Sequence, residues 1–110
     1  MIRAELVLEN GLLKSCGISG HSGAGPKGAD IVCAAVSVLA RTAVKTLSGR
    51  NGIAVHGEFP ERGEFSMKIS AVAGEDMEFL AGISDFLKEG LLSVSTEYPD
   101  FCRVDILKVK

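Results

Sequence analysis

The residues best suited to chemistry stand near one another in the first third of the chain. His21 lies in a glycine-rich stretch, and Cys33 follows it at the start of an apolar run. A cysteine attacks as the thiolate, and a neighbouring histidine is the usual group that draws off its proton at neutral pH. Asp30 precedes Cys33 by three residues, the spacing at which a capping carboxylate accepts a hydrogen bond from a helix backbone N–H. A helix begun there, over about 29–47, puts Cys33 in the first turn, where unpaired N–H groups favour an anion. The carboxylate of Asp30 opposes thiolate formation, so a cation must outweigh it, and His21 can supply one as imidazolium. The expected chemistry is attack by Cys33 on a carbonyl, with His21 as general base and then as proton donor to the leaving amine.

Helical spacing extends the pattern. Asp30, Cys33, Ser37 and Arg41 share one helix face as a polar stripe through an Ala-, Val- and Leu-rich segment. Ile31, Ala35, Val38, Leu39 and Thr42 are expected to form the core face beside it. Each polar residue also has a plainer use. A lone cysteine commonly fills space, a helix serine bonds back to a carbonyl, and an arginine is commonly solvated.

Two other motifs begin in the same stretch and fail. Gly20-His21-Ser22 opens like the G-x-S-x-G nucleophile elbow, but Ala24 stands where the last glycine belongs, and the chain is too short for that hydrolase fold. The glycines from Gly20 to Gly25 have phosphate-loop spacing, but Pro26 stands in place of its lysine.

These groups need a scaffold. Ile2, Ala4, Leu6 and Leu8 alternate with polar residues, a half-buried strand, and Asn10-Gly11 is a hairpin signal leading to a second strand over 12–19. Residues 20–28 hold four glycines and a proline and read as a loop. After the first helix come strands over 52–58 and 64–73, joined by a turn at 60–63. A second helix runs from about 75 to 97 through Phe79, Leu80, Ile83, Phe86, Leu87, Leu91 and Val94, and Pro99 ends it. A last strand covers 101–109. The order ββαββαβ predicts an α+β fold, with two helices packed on one face of a mostly antiparallel mixed sheet. Cys16, Cys102 and His56 fall in strand patterns and are expected to pack. Phe59, Phe65 and Met67 are candidates for an apolar pocket, although core packing is the commoner use of such residues.

Composition narrows the class. The 110 residues suit one domain spanning 1–110, and 46% apolar content supports a core. The net charge of −2, without a basic block, argues against direct nucleic-acid binding. Residues 1–10 carry Arg3, Glu5 and Glu9, unlike a signal peptide or membrane span, so a cytoplasmic protein with no membrane partner is expected. The three cysteines have no C-x-x-C spacing, and neither a metal nor any other cofactor is expected.

Gly20-His21-Ser22, followed by G-A-D-I-V-C-A-A-V-S-V-L at 28–39, resembles the ribosomal-processing cysteine protease family, Prp. Chain length, the ββαββαβ order and E-Y-P-D at 97–100 extend the resemblance over nearly the whole chain. It implies a cytosolic, homodimeric peptidase that removes a short N-terminal extension from large-subunit ribosomal protein twenty-seven, cutting after a Phe-rich motif. The family's cysteine and histidine match Cys33 and His21, and Gly20, Asp30 and Ser37 match its supporting positions. Asp30 either orients His21 or braces the helix start. The chain departs from the family in having Ser22 where alanine is common, and in lacking an aromatic residue in the loop, which bears on loop motion and substrate fit. The family's loop reorders over the peptide. Here four glycines in 20–28 lower the barrier to rearrangement, and Gly20, directly before His21, is expected to be the hinge, its change to Ala costing activity sharply but little stability. The rival expectation is a non-catalytic, ribosome-associated module that grips a peptide or phosphate with the glycine loop.

Overall fold

Strand β1 (Ile2–Glu9) buries Ile2, Ala4, Leu6 and Leu8 and turns Arg3 and Glu5 outward, so its alternation is the reason it forms a sheet surface. It meets β2 (Leu12–Ser19) through Asn10 and Gly11, both at positive φ, which the tight hairpin requires. In this computed structural model, which describes residues 1–20, 27–60 and 64–109 and only the backbone of 27–30, the chain continues through α1 (Lys27–Ser48), β3 (Ile53–Glu58), β4 (Phe65–Val72), α2 (Met77–Glu97) and β5 (Cys102–Val109). A short 3-10 turn, Gly74–Asp76, leads into α2.

The strands form one five-stranded sheet in the order β3-β4-β2-β1-β5. Every pairing is antiparallel except β1 with β5. The fold is the expected α+β arrangement, an open mixed sheet with both helices on one face. Beneath them lie Leu6, Leu13, Cys16 and Met67 from the sheet, with Val32, Val36, Leu47, Leu80, Leu87 and Leu91 from the helices. Residues 31–48 are long and apolar enough to cross a bilayer by hydropathy, but Val32, Val36, Ala40, Ala43 and Leu47 of this stretch are buried in the core.

The buried side of α1 differs from the expected one. Ile31 and Val38 are 56% and 62% exposed, while the sheet is covered by Val32, Val36, Ala40, Ala43 and Leu47. The helix is apolar nearly all round, so periodicity alone does not single out a face. Phe86, one of the apolar residues at helical spacing along α2, is likewise 68% exposed. Gly90 lets α2 approach α1 closely, since a Cβ there would lie 3.0 Å from Leu39 Cδ2.

One buried polar residue has a clear task. The β1–β2 ladder slips between Val7 and Leu8. The Leu13 N–H donates instead to Ser84 Oγ of α2 at 2.8 Å, and Ser84 Oγ donates to the Leu80 carbonyl at 2.6 Å. The buried Leu13 N–H and the buried Ser84 hydroxyl are thereby both paired.

Candidate active site

Helix α1 begins at Lys27, earlier than expected, so Lys27 and Gly28 are helical and Asp30 lies within the first turn, not at the cap. Cys33 falls in the second turn, where helical geometry commits its N–H to the ladder. The field of the helix end weakens beyond the first turn, so it reaches Cys33 less than the sequence pattern implied. Asp30's side chain and all of His21 lie outside the described residues, as do the rest of the loop through Pro26 and the turn residues 61–63.

Cys33 is half-buried, packed on one side against the core. Cys16 and Cys102 are each 2% exposed, and none of the three is in a disulfide. Burial pushes the Cys16 thiol up to about 12 and also raises that of Cys102, because a thiolate loses its hydration there. Both behave as the packing residues they were expected to be. Among the three sulfurs, Cys33 alone lies outside the fully buried core.

The polar stripe is real beyond Cys33. Ser37 and Arg41 are exposed, and Arg41 Nε donates to Ser37 Oγ at 3.2 Å. The Arg41 guanidinium also lies 4.4 Å from the centre of the Phe59 ring, which stands 4.9 Å from Phe65. Of the proposed pocket residues, Phe65 and Met67 are core, at 7% and 3% exposure, and Phe59 at 39% faces solvent. Strand β3 therefore runs along α1 with Gly57 beside Val44 and Phe59 beside Arg41. Following it toward Pro60 leads along α1 toward Ser37 and Cys33.

His56 is corrected from packing residue to surface residue. Its Nε2 pairs with Glu58 Oε1 at 3.0 Å, and both side chains are exposed. Neighbouring Gly57 faces Val44 of α1, so His56 projects from the opposite side of the sheet. Of the chain's two histidines, His56 thus faces away from the helix that carries Cys33, which leaves His21 as the candidate base.

Gly20 closes β2 at φ +87°, and a Cβ there would collide with the Met1 carbonyl oxygen. This glycine is an anchor locked against the first residue, and the expectation that Ala would cost little stability is corrected. Gly20→Ala is expected to lower stability by about 1–3 kcal/mol, from left-handed backbone strain plus the clash. It should also displace the entry to residue 21 and so depress activity. Denaturant unfolding beside a cleavage assay checks this, and an unchanged midpoint would refute it.

Among the described residues, no group of three or more His, Cys, Asp and Glu side chains is placed to hold a metal ion. A groove of ≈ 490 Å³ opens on the helix-free face among Arg3, Glu5, Ser19, Glu64 and Asp105, and Cys33 is not in its lining.

The model of the family described as cysteine protease Prp matches residues 1–103. This chain belongs to the Prp family of ribosomal-processing cysteine proteases. Solved structures agree in fold. SMU.848 from Streptococcus mutans is 26% identical, with a TM-score of 0.81 over 99% of this chain and 96% of its own. The essential ribosomal processing protease Prp from S. aureus, solved with a substrate peptide, is 18% identical, with a TM-score of 0.79 over 96% and 99% of the two chains. The same S. aureus protease with a covalently linked product peptide is 20% identical at a TM-score of 0.78, over the same shares. No curated protein sequence matches the chain. Within the Prp frame, Ser84 and Phe59 are the residues whose roles the sequence pattern did not reveal. The signal for Ser84 was a serine in register with Leu80, Leu87 and Leu91.

Proposed function

We propose that this protease acts in the cytoplasm as an endopeptidase with a Cys33–His21 dyad, removing a short N-terminal extension from large-subunit ribosomal protein twenty-seven. The observation that carries the assignment of the nucleophile is the contrast among thiols. Cys33 is half-buried on the helix face that bears Ser37 and Arg41, whereas Cys16 and Cys102 are sealed in the core.

In this reading the Cys33 thiolate attacks the scissile carbonyl, and His21 protonates the departing amine as the tetrahedral species collapses to a thioester. Water then attacks the thioester, His21 takes its proton, and the Cys33 sulfur leaves. Gly20 fixes the chain entering residue 21 by its locked backbone. Asp30 supports the first turn of α1 or orients His21, and Ser37 holds Arg41. No cofactor takes part. Peptide recognition fits the S. aureus relative, whose structures hold substrate and product peptides.

A homodimer is part of the same proposal. Ile31, Val38 and Phe86 leave apolar surface on the helices, and β3 and β5 are open sheet edges. Sedimentation at micromolar protein should give twice the monomer mass, and a monomer alone would reject this.

The decisive experiment incubates the purified protease with the full-length ribosomal protein from the same organism and weighs the product. A mass loss equal to a short N-terminal peptide is expected. An intact mass after prolonged incubation at equimolar enzyme would overturn the substrate assignment. The rival, a non-catalytic peptide- or phosphate-binding module, predicts that intact mass together with a Cys33 slow to alkylate.

A further inference from the structure

The E-Y-P-D stretch at 97–100 has no part in the chemistry assigned to Cys33 and His21, yet it belongs to a connected set of backbone contacts. The Tyr98 N–H donates to the Val94 carbonyl at 2.8 Å, which ties the stretch to the end of α2. The Tyr98 carbonyl in turn accepts from the N–H groups of Phe101 and Cys102, at 3.0 and 3.1 Å. Pro99 follows Tyr98 in this turn, where its fixed φ is preset for the bend. Tyr98 and Phe101 pack against the core, while Pro99 and Asp100 are exposed.

The contacts continue across β1. The Ile2 N–H donates to the Phe101 carbonyl at 2.9 Å. The other edge of the same peptide unit, the Met1 carbonyl, lies against Gly20, where a Cβ would collide with it. A trans peptide is planar, and its N–H and C=O point in opposite directions. The Met1–Ile2 peptide is therefore a rigid strut, with one edge on the Tyr98–Phe101 turn and the other on the residue directly before His21. It contains no soft torsion, so a displaced turn moves the strut as a whole. Gly20, at φ +87° and without a side chain, follows the strut at closer range than any other residue could.

We propose that the Tyr98–Phe101 turn is a positioning element for the active site, which through the Met1–Ile2 peptide sets where the chain leaves β2 for His21. This rests on the Cys33–His21 reading above and adds to it the element that aims the base. The turn enters no step of the reaction. Its leverage comes from geometry, since misplacing a reacting group by about 1 Å can cost up to about a hundredfold in rate.

The test loosens the turn at its exposed positions with Pro99→Gly and with the double variant Pro99→Gly/Asp100→Gly, which remove no core contact. On the ribosomal precursor, kcat should fall by about three- to thirtyfold, further in the double variant, with KM kept within about twofold. The second readout is the pH response of Cys33, which a general loss of stability does not move. Its iodoacetamide rate at about pH 6.5, relative to that at about pH 9, should fall by about threefold or more, because a misplaced imidazolium no longer holds the thiolate. Arg50→Met breaks the Arg50–Asp76 pair beyond the far end of α1 and serves as the stability control, with both readouts expected at wild-type values. The proposal is overturned if either readout stays at its wild-type value in the folded double variant, or if Arg50→Met moves them as far.

Failure of the dyad reading shows separately. If wild type does not cleave the precursor, or if His21→Ala leaves the Cys33 pH response unchanged, that reading fails. Amide NMR of the double variant then decides whether the turn sets the exit from β2. A shifted Gly20 resonance, with Ile2 exchange faster by about tenfold or more and Leu6 and Cys16 unchanged, upholds the strut. A Gly20 resonance that stays in place, or an Ile2 amide that exchanges as in wild type, overturns it.

Discussion

Replacing Cys33 by Ala is expected to lower peptide cleavage by at least about a thousandfold, in line with loss of a covalent nucleophile elsewhere. The fold should survive, because the side chain is half-buried and loses a single sulfur. The stability cost is about 1 kcal/mol or less. Cys33→Ser retains the volume but offers a hydroxyl that stays protonated at neutral pH, so its activity should fall nearly as far. His21→Ala should join them, since the second turn of α1 leaves little helix-end field to hold the thiolate unaided. The three variants belong beside one another in a kcat/KM measurement on the cleaved ribosomal precursor, with thermal melts as the folding control. A Cys33→Ala protein that is folded and turns over near the wild-type rate ends the assignment of the nucleophile.

The second large effect is chemical selectivity among the cysteines. With its thiol raised to about 12, Cys16 holds a thiolate fraction on the order of 10⁻⁵ at pH 7. Cys102 is shifted the same way by burial, and both sulfurs are sealed from reagent at 2% exposure. Cys33 lacks that shielding. Brief iodoacetamide treatment of native protein should therefore place the first adduct on Cys33, ahead of the other two by at least about a thousandfold in rate. Peptide mapping by mass spectrometry reads the result, and denatured protein, alkylated at all three, is the reference. Early modification of Cys16 or Cys102, or a Cys33 as inert as they are, would contradict an activated thiolate and favour the binding-module alternative.

The strands and the hairpin were legible because their signals are local. Alternation over residues 2–8 and the Asn10-Gly11 pair act within a few residues, and the structure places β1, β2 and their turn accordingly. The start of α1 was less legible. Gly28 reads as a loop residue in isolation, yet it is helical, because the cost of one glycine is small against the burial that a long helix gains. That shift moved Asp30 off the cap and Cys33 into the second turn. The core face of α1 was not legible at all. Ile31 and Val38 are as apolar as Val32 and Val36, and composition gives no reason to bury one pair over the other. The sheet and α2 decide it by where they stand.

By itself, the amino-acid order determined the element types, the ββαββαβ path and the short list of groups able to do chemistry, because periodicity, turn residues and the His21–Cys33 motif are properties of neighbouring residues. Tertiary structure decided which thiols are silenced, since desolvation of Cys16 and Cys102 depends on what packs over them. It turned His56 away from α1. It also set the Arg41 cation on Phe59, a residue distant in sequence, and gave the slipped Leu13 N–H to Ser84 across the core. Each of these pairs joins segments far apart in the chain, and no local pattern encodes a contact that exists only once sheet and helices have closed on one another.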